Sequence, residues 1–138
     1  MTDSITYKIA DNVATITLDQ AKRANPIDAA FATSLAKALD AIDADGSVRA
    51  ILIRAEGKNF SFGGDLTAFL AGDSIRANLE GIFEPFNPAL DRLWGYGVPV
   101  VVAVQGFAVG GGLGIACNAD VIVAGENTKF GAAFAGIG

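Results

Sequence analysis

The chain has 138 residues, 51% of them apolar and only 18% charged, with a formal net charge of −5, which excludes a disordered polymer and argues against a broad nucleic-acid surface. It has no histidine and one cysteine, Cys117, so Ser-His or Cys-His catalysis, a His-ligated metal and an internal disulfide are excluded. No apolar run approaches the ~20 residues of a membrane span, and the opening MTDSITYKIADN has neither the basic nor the apolar region of a signal peptide; a cytoplasmic, one-domain protein is expected.

Residues 5–10 (ITYKIA) and 13–18 (VATITL) cluster β-branched residues around Asp11 and Asn12 and read as a hairpin or two short strands. After a polar loop, Ile27, Phe31, Leu35, Leu39 and Ile42 fall at helical spacing, predicting a helix over 28–43 that stops near Asp45 and Gly46. Residues 48–54 (VRAILIR) predict a strand covered on both faces. A glycine-rich turn over 56–64 leads to a short helix from Asp65. Leu79, Phe83, Phe86, Leu90 and Leu93 are helix-spaced within 76–96, with Pro85 and Pro88 predicting a kink or two shorter helices. A buried strand over 98–105, a glycine turn opening an apolar helix from Leu113, and a strand over 121–124 follow. Strands alternating with helices predict an α/β layout without close repeats. The apolar tail 129–138 (KFGAAFAGIG) ends without a polar cap, implying a partner that covers it or a longer original polypeptide.

One arrangement occurs twice: a buried strand runs into glycines and a helix starts at once, first through Phe62, Gly63 and Gly64, then through Gly110, Gly111 and Gly112. A helix N-terminus offers unpaired N–H groups and partial positive charge, and glycine lets a ligand approach them. One such turn is a candidate phosphate site. Two aimed at one point would form an oxyanion hole. The spacings G-x-G-x-x-G, G-x-x-x-x-G-K-[ST] and G-x-S-x-G are absent.

On these residues the chain resembles the N-terminal half of the enoyl-CoA hydratase/isomerase (crotonase) superfamily. Four stretches carry the resemblance in order: 19–28 (DQAKRANPID), 48–66 (VRAILIRAEGKNFSFGGDL), 98–120 (VPVVVAVQGFAVGGGLGIACNAD) and 127–138 (NTKFGAAFAGIG). It implies a crotonase-like (ClpP/crotonase) α/β spiral of β-β-α units, with the C-terminal helical half outside these 138 residues. It also implies an acyl-CoA thioester as ligand, no metal, and no cofactor beyond the coenzyme A of the substrate. The family usually assembles as trimers or pairs of trimers, so a homotrimer or hexamer is implied for a full-length chain.

By motif position the resemblance makes the backbone N–H groups of Gly64 and Gly111 the oxyanion donors. It places the ligand against Lys22, Arg23, Asn25, Phe62, Asp65 and Leu66, with Lys22 or Arg23 meeting the phosphates of coenzyme A; Lys58 is a further candidate. The sequence departs from the family's hydratases at both of their glutamate positions, which here are Gly114 and Phe134. Water activation by that pair is therefore excluded. The AFAGIG ending is similar to isomerase-type members, implying a shift of a double bond from position 3 to position 2 of an enoyl-CoA, with the acid/base beyond Gly138. A hydratase with a non-standard acid/base, a non-catalytic binder of CoA esters and a nucleotide-binding α/β domain are the alternatives.

The remaining chemistry-bearing residues have simpler readings. Asp65 reads as a helix cap, Asp120 and Glu126 as structural or solvent-facing, Phe83 and Phe86 as core, and Cys117 as a small buried residue. Phe62, Phe83, Phe86 and Trp94 are candidates for the acyl pocket; helical spacing favours core packing for Phe83 and Phe86, and Phe62 stands apart because it lies inside the first turn.

Overall fold

The computed structural model describes residues 4–136. Residues 1–3, the start of the segment read for a signal peptide, and residues 137 and 138, the end of the apolar tail, lie outside the described residues. β1 (Ile5–Ala10) and β2 (Val13–Leu18) form an antiparallel hairpin in which Ala10 faces Val13. Asp11 and Asn12 between them have φ of 50° and 64°, the left-handed pair that a two-residue hairpin turn requires.

From β2 onward one unit recurs. A long strand enters the main sheet, a short strand leaves it, and a helical segment closes the turn. β2 is followed by β3 (Pro26–Ile27) and α1 (Ala29–Ala44); β4 (Ala50–Ala55) by β5 (Gly63–Gly64), α2 (Leu66–Phe69) and α3 (Ile75–Trp94). β6 (Val100–Val104) is followed by β7 (Phe107–Val109) and α4 (Gly111–Cys117), and β8 (Val121–Ala124) by β9 (Lys129–Gly131) and a 3-10 turn at Phe134–Gly136. The long strands make a five-stranded sheet in the order β1-β2-β4-β6-β8, parallel from β2 on. The short strands pair β3 with β5 and β7 with β9, and a Ser61–Ala108 bridge joins the two pairs into a second layer. The chain is thus a spiral of β-β-α units.

The core lies between the main sheet and two helices. Ile16, Ile51, Ile53, Val100 and Val102 of the sheet, Phe31, Leu35 and Leu39 of α1, and Ile82, Phe86 and Leu93 of α3 are all buried in one cluster. Asp28 caps α1 by accepting the Phe31 N–H at 2.9 Å, and Ser74 caps α3; such caps hold the first turns.

The structure corrects several expectations. α3 runs unbroken through Pro85 and Pro88. The carbonyls those prolines leave without a helical partner belong to Gly81 and Glu84, which both face water, while Ile82, Phe86, Ala89 and Leu93 anchor the helix to the core on both sides of the interruption. The second glycine-turn helix begins at Gly111 rather than Leu113. Cys117 is exposed, because it ends α4 away from the buried face of Gly112, Ile115 and Ala116. Phe83 is half-exposed rather than core, and Trp94 projects into solvent with 78% of its surface exposed. The short strands β3, β5 and β7 were not anticipated, since two or three residues carry no period.

Candidate active site

The two glycine turns meet. Gly63, with φ of 82°, is so close to the second turn that a Cβ there would stand 2.6 Å from the Val109 carbonyl oxygen and 3.3 Å from the Gly111 nitrogen. Only glycine provides both that conformation and that approach. Gly112 at the start of α4 is packed as closely, its Cα facing Ser61, where a Cβ would meet the Ser61 carbonyl oxygen at 2.9 Å.

The amides at this junction are left open by the local geometry. The Asp65 N–H donates to the Ile27 carbonyl at 3.1 Å. Successive amides on a strand point to opposite sides, so the Gly64 N–H faces away from β3. Gly111 is the first residue of α4, where an N–H has no partner within its own helix. Gly110 before it donates to the Gly131 carbonyl at 2.9 Å, fixing the turn against β9. Among the described residues neither Gly64 nor Gly111 has a side-chain acceptor.

Gly64 and Gly111 line one cleft of about 430 Å³. Its walls are apolar: Ile27 comes from β3, Phe62, Leu66 and Phe69 from the first turn and α2, and Ile82, Phe83, Phe86 and Leu90 from α3. Val109, Ala132, Ala133 and Phe134 close the far side. Gly114 also lines it, so both positions where the resemblance implied a hydratase glutamate face this cleft. No aspartate, glutamate, lysine or arginine lines the cleft among the described residues, and Asn87 is its one side chain with a hydrogen-bonding group. Of the α3 wall, Phe83 and Phe86 were considered for the pocket but read as core, and Ile82, Asn87 and Leu90 were missed, although 82, 83, 86, 87 and 90 follow helical spacing. Their period announces a helix but does not separate its core face from its cleft face.

The expected polar ligand contacts lie elsewhere. Asn25 is corrected from a ligand contact to an internal brace. It is 1% exposed, its amide donates to the Glu56, Asn59 and Phe60 carbonyls at 3.0–3.1 Å, and its oxygen accepts the Gln20 N–H at 2.8 Å. Ser61 extends the brace by donating to the Asn25 carbonyl and accepting from the Gly63 N–H. Asp65 caps α2, accepting the Thr67 and Ala68 N–H groups at 2.9 and 3.2 Å, and pairs with Arg23 at 2.5 Å. Burial works against its charge, yet the Ala68 and Thr67 amides and Arg23 hold its carboxyl below the usual carboxylate range. Lys22 and Arg23 line a separate depression with Ser4, Asp19, Gln20 and Asp28. Lys22 is exposed there. Phe62 and Leu66 do stand in the cleft, and Phe62 packs 5.2 Å from the Phe107 ring.

A spiral of β-β-α units with two glycine turns meeting over an apolar cleft defines the crotonase-like class. A crystal structure of a Mycobacterium abscessus protein described as an enoyl-CoA hydratase/isomerase superposes with a TM-score of 0.88 at 41% identity, covering 97% of this chain and 53% of the other. An enoyl-CoA hydratase/carnithine racemase from Magnetospirillum magneticum gives 0.87 at 29% identity, over 99% of this chain and 52% of that one. The chain belongs to the enoyl-CoA hydratase/isomerase family, whose pattern matches residues 8–138. It is 36% identical to a Rhodobacter capsulatus protein described as a probable enoyl-CoA hydratase, over 98% of this chain and 51% of the relative. It is 33% identical to the trans-2-decenoyl-[acyl-carrier-protein] isomerase of Streptococcus mutans, over 97% of this chain and 52% of the relative. The chain spans about half the length of these relatives.

Proposed function

We propose that this chain supplies the thioester-binding part of an acyl-CoA enzyme, with the Gly64 and Gly111 N–H groups holding the thioester oxygen and an apolar acyl group lying along α3. The observation that carries this reading is the placement of two open amides in one apolar cleft. Loss of a proton from the carbon beside the thioester carbonyl would put charge on that oxygen, and two fixed donors in a water-poor cleft stabilise it there. Each such donor is worth about 3 kcal/mol of barrier. Lys22, exposed in the neighbouring depression, is the proposed contact for the phosphates of coenzyme A.

The reaction we favour moves a double bond from position 3 to position 2 of an enoyl-CoA. It needs one base that takes a proton from carbon 2 and returns one to carbon 4, with no water added. The cleft has no carboxylate among the described residues, so that base belongs to a part of the protein outside them. A family assembly of three or six copies is part of this proposal. The lack of an ionisable wall also favours a second reading, a CoA-ester binder without turnover.

The deciding measurement, made on the protein together with the part that carries the base, is calorimetric titration with a 3-enoyl-CoA beside a spectroscopic assay for the conjugated 2-enoyl product. Binding with turnover supports the isomerase, and binding without it supports the binder. No binding of any acyl-CoA, with the protein folded, refutes both.

A further inference from the structure

Arg23 was expected at the phosphates of coenzyme A, but its guanidinium is turned inward onto two helix caps. Its Nη2 donates to Asp65 Oδ2 at 2.5 Å, and its Nη1 donates to Asp28 Oδ2 at 3.2 Å and to Gln20 Oε1 at 2.5 Å. The other oxygen of each carboxylate is also committed. Asp28 Oδ1 accepts the Phe31 N–H of α1, and Asp65 Oδ1 accepts the Thr67 and Ala68 N–H groups of α2. One planar cation therefore ties the start of α1 to the start of α2. The carboxylates are mostly enclosed, at 15% and 17% side-chain exposure against 50% for Arg23, so each has little water to replace that partner.

Asp65 directly follows Gly64 and is fixed through its backbone as well, by donation to the Ile27 carbonyl. α2 then carries Phe69 back over the glycine: a Cβ on Gly64 would lie 2.2 Å from the Phe69 ring. Asp65 thus holds the residue after Gly64 through both backbone and side chain, and the pose of α2 decides what stands over the Gly64 amide. We infer that Arg23 is a positioning residue that sets the Gly64 donor through Asp65, and that it is not a phosphate ligand. The inference rests on the proposed role of Gly64 for its effect on chemistry, but the coupling itself does not. Removing the guanidinium leaves two carboxylates facing a shared vacancy of charge, and α2 is the shorter and freer of the two helices to move.

The test uses the chain with R23M, D65N and the double variant. Hydrogen exchange of the amides of residues 64–69 is followed without ligand, and binding of free coenzyme A is compared with binding of an acyl-CoA. Arg23 acting through Asp65 predicts about tenfold faster exchange in R23M, with the double variant no faster than the faster single one. It also predicts unchanged affinity for free coenzyme A and a loss confined to the affinity for the acyl-CoA. R23K restores the charge without the fork, and is expected to recover exchange protection only in part; it also serves if R23M does not fold. Weaker binding of free coenzyme A by R23M with normal exchange overturns the inference in favour of a phosphate contact, as does normal exchange alone. If the unaltered chain binds no acyl-CoA, the proposed function fails, and the exchange data still decide the coupling.

Discussion

Gly111 separates a donor from the space around it. A Cβ at this position would stand 2.6 Å from Ile27 Cδ1, the far end of a flexible side chain, so alanine is accommodated by a small shift of Ile27 and keeps its N–H. Proline at the first position of a helix is also compatible with the backbone, and it removes the N–H. In the protein together with the part that carries the base, turnover of a 3-enoyl-CoA is therefore expected to fall about 10²–10³-fold in Gly111→Pro relative to Gly111→Ala, with circular dichroism the same for both. Equal rates in the two variants would count against an N–H donor here. The glycine pair was legible in the sequence because its physical requirement is local: a strand must turn into a helix at close quarters. Asn25 was legible only as a position. Its role depends on the carbonyls of residues 56, 59 and 60, which no local pattern brings to it.

Among elements, the long ones and the short helices α2 and α4 were readable, and the short strands β3, β5 and β7 were not. Helical period and β-branched runs found α1 and the strands of the main sheet to within two or three residues; α1, β2, β4 and β6 each bury a defined face, and β8 was read from its β-branched run alone. β3, β5, β7 and β9 depend on pairing with distant partners, and α3 tolerates its prolines because tertiary anchoring outweighs local preference. That anchoring extends to the surface. Arg92 of α3 reaches Asp40 and Asp43 of α1 at 2.9 and 2.6 Å, and Tyr96 just beyond α3 donates to Asp43. The Tyr96 hydroxyl first, and Arg92 after it, hold the Asp43 carboxyl below the usual carboxylate range against the opposing effect of burial. A carboxyl depressed in the folded state adds stability above its unfolded pKa near 3.9 and loses it as pH falls through the folded value. Urea unfolding of the wild type and Asp43→Asn is expected to differ at pH of about 6 and to converge as pH falls through the folded value. A gap that persists in acid would assign the effect to shape rather than charge.

At the scale of the whole molecule the two borders of the main sheet differ. β1 ends one side as half of a hairpin with mostly polar outward residues. β8 ends the other with Val121, Ile122 and Val123 at 51%, 42% and 58% exposure, beside half-exposed Phe130. Both faces and the outer edge of this strand are open among the described residues, and an apolar edge of this kind is a template for pairing with another chain. The chain spans about half of its relatives' length, and its charge of −5 gives only modest repulsion between copies at physiological salt. The 138-residue chain is expected to self-associate through β8, with sedimentation coefficients that rise with concentration. Val123→Lys places a charge on the edge strand without opening the core, since Val123 is already exposed. It should shift the chain towards monomer while changing unfolding free energy by less than about 0.5 kcal/mol. A concentration dependence that Val123→Lys leaves intact would place the contact on another surface.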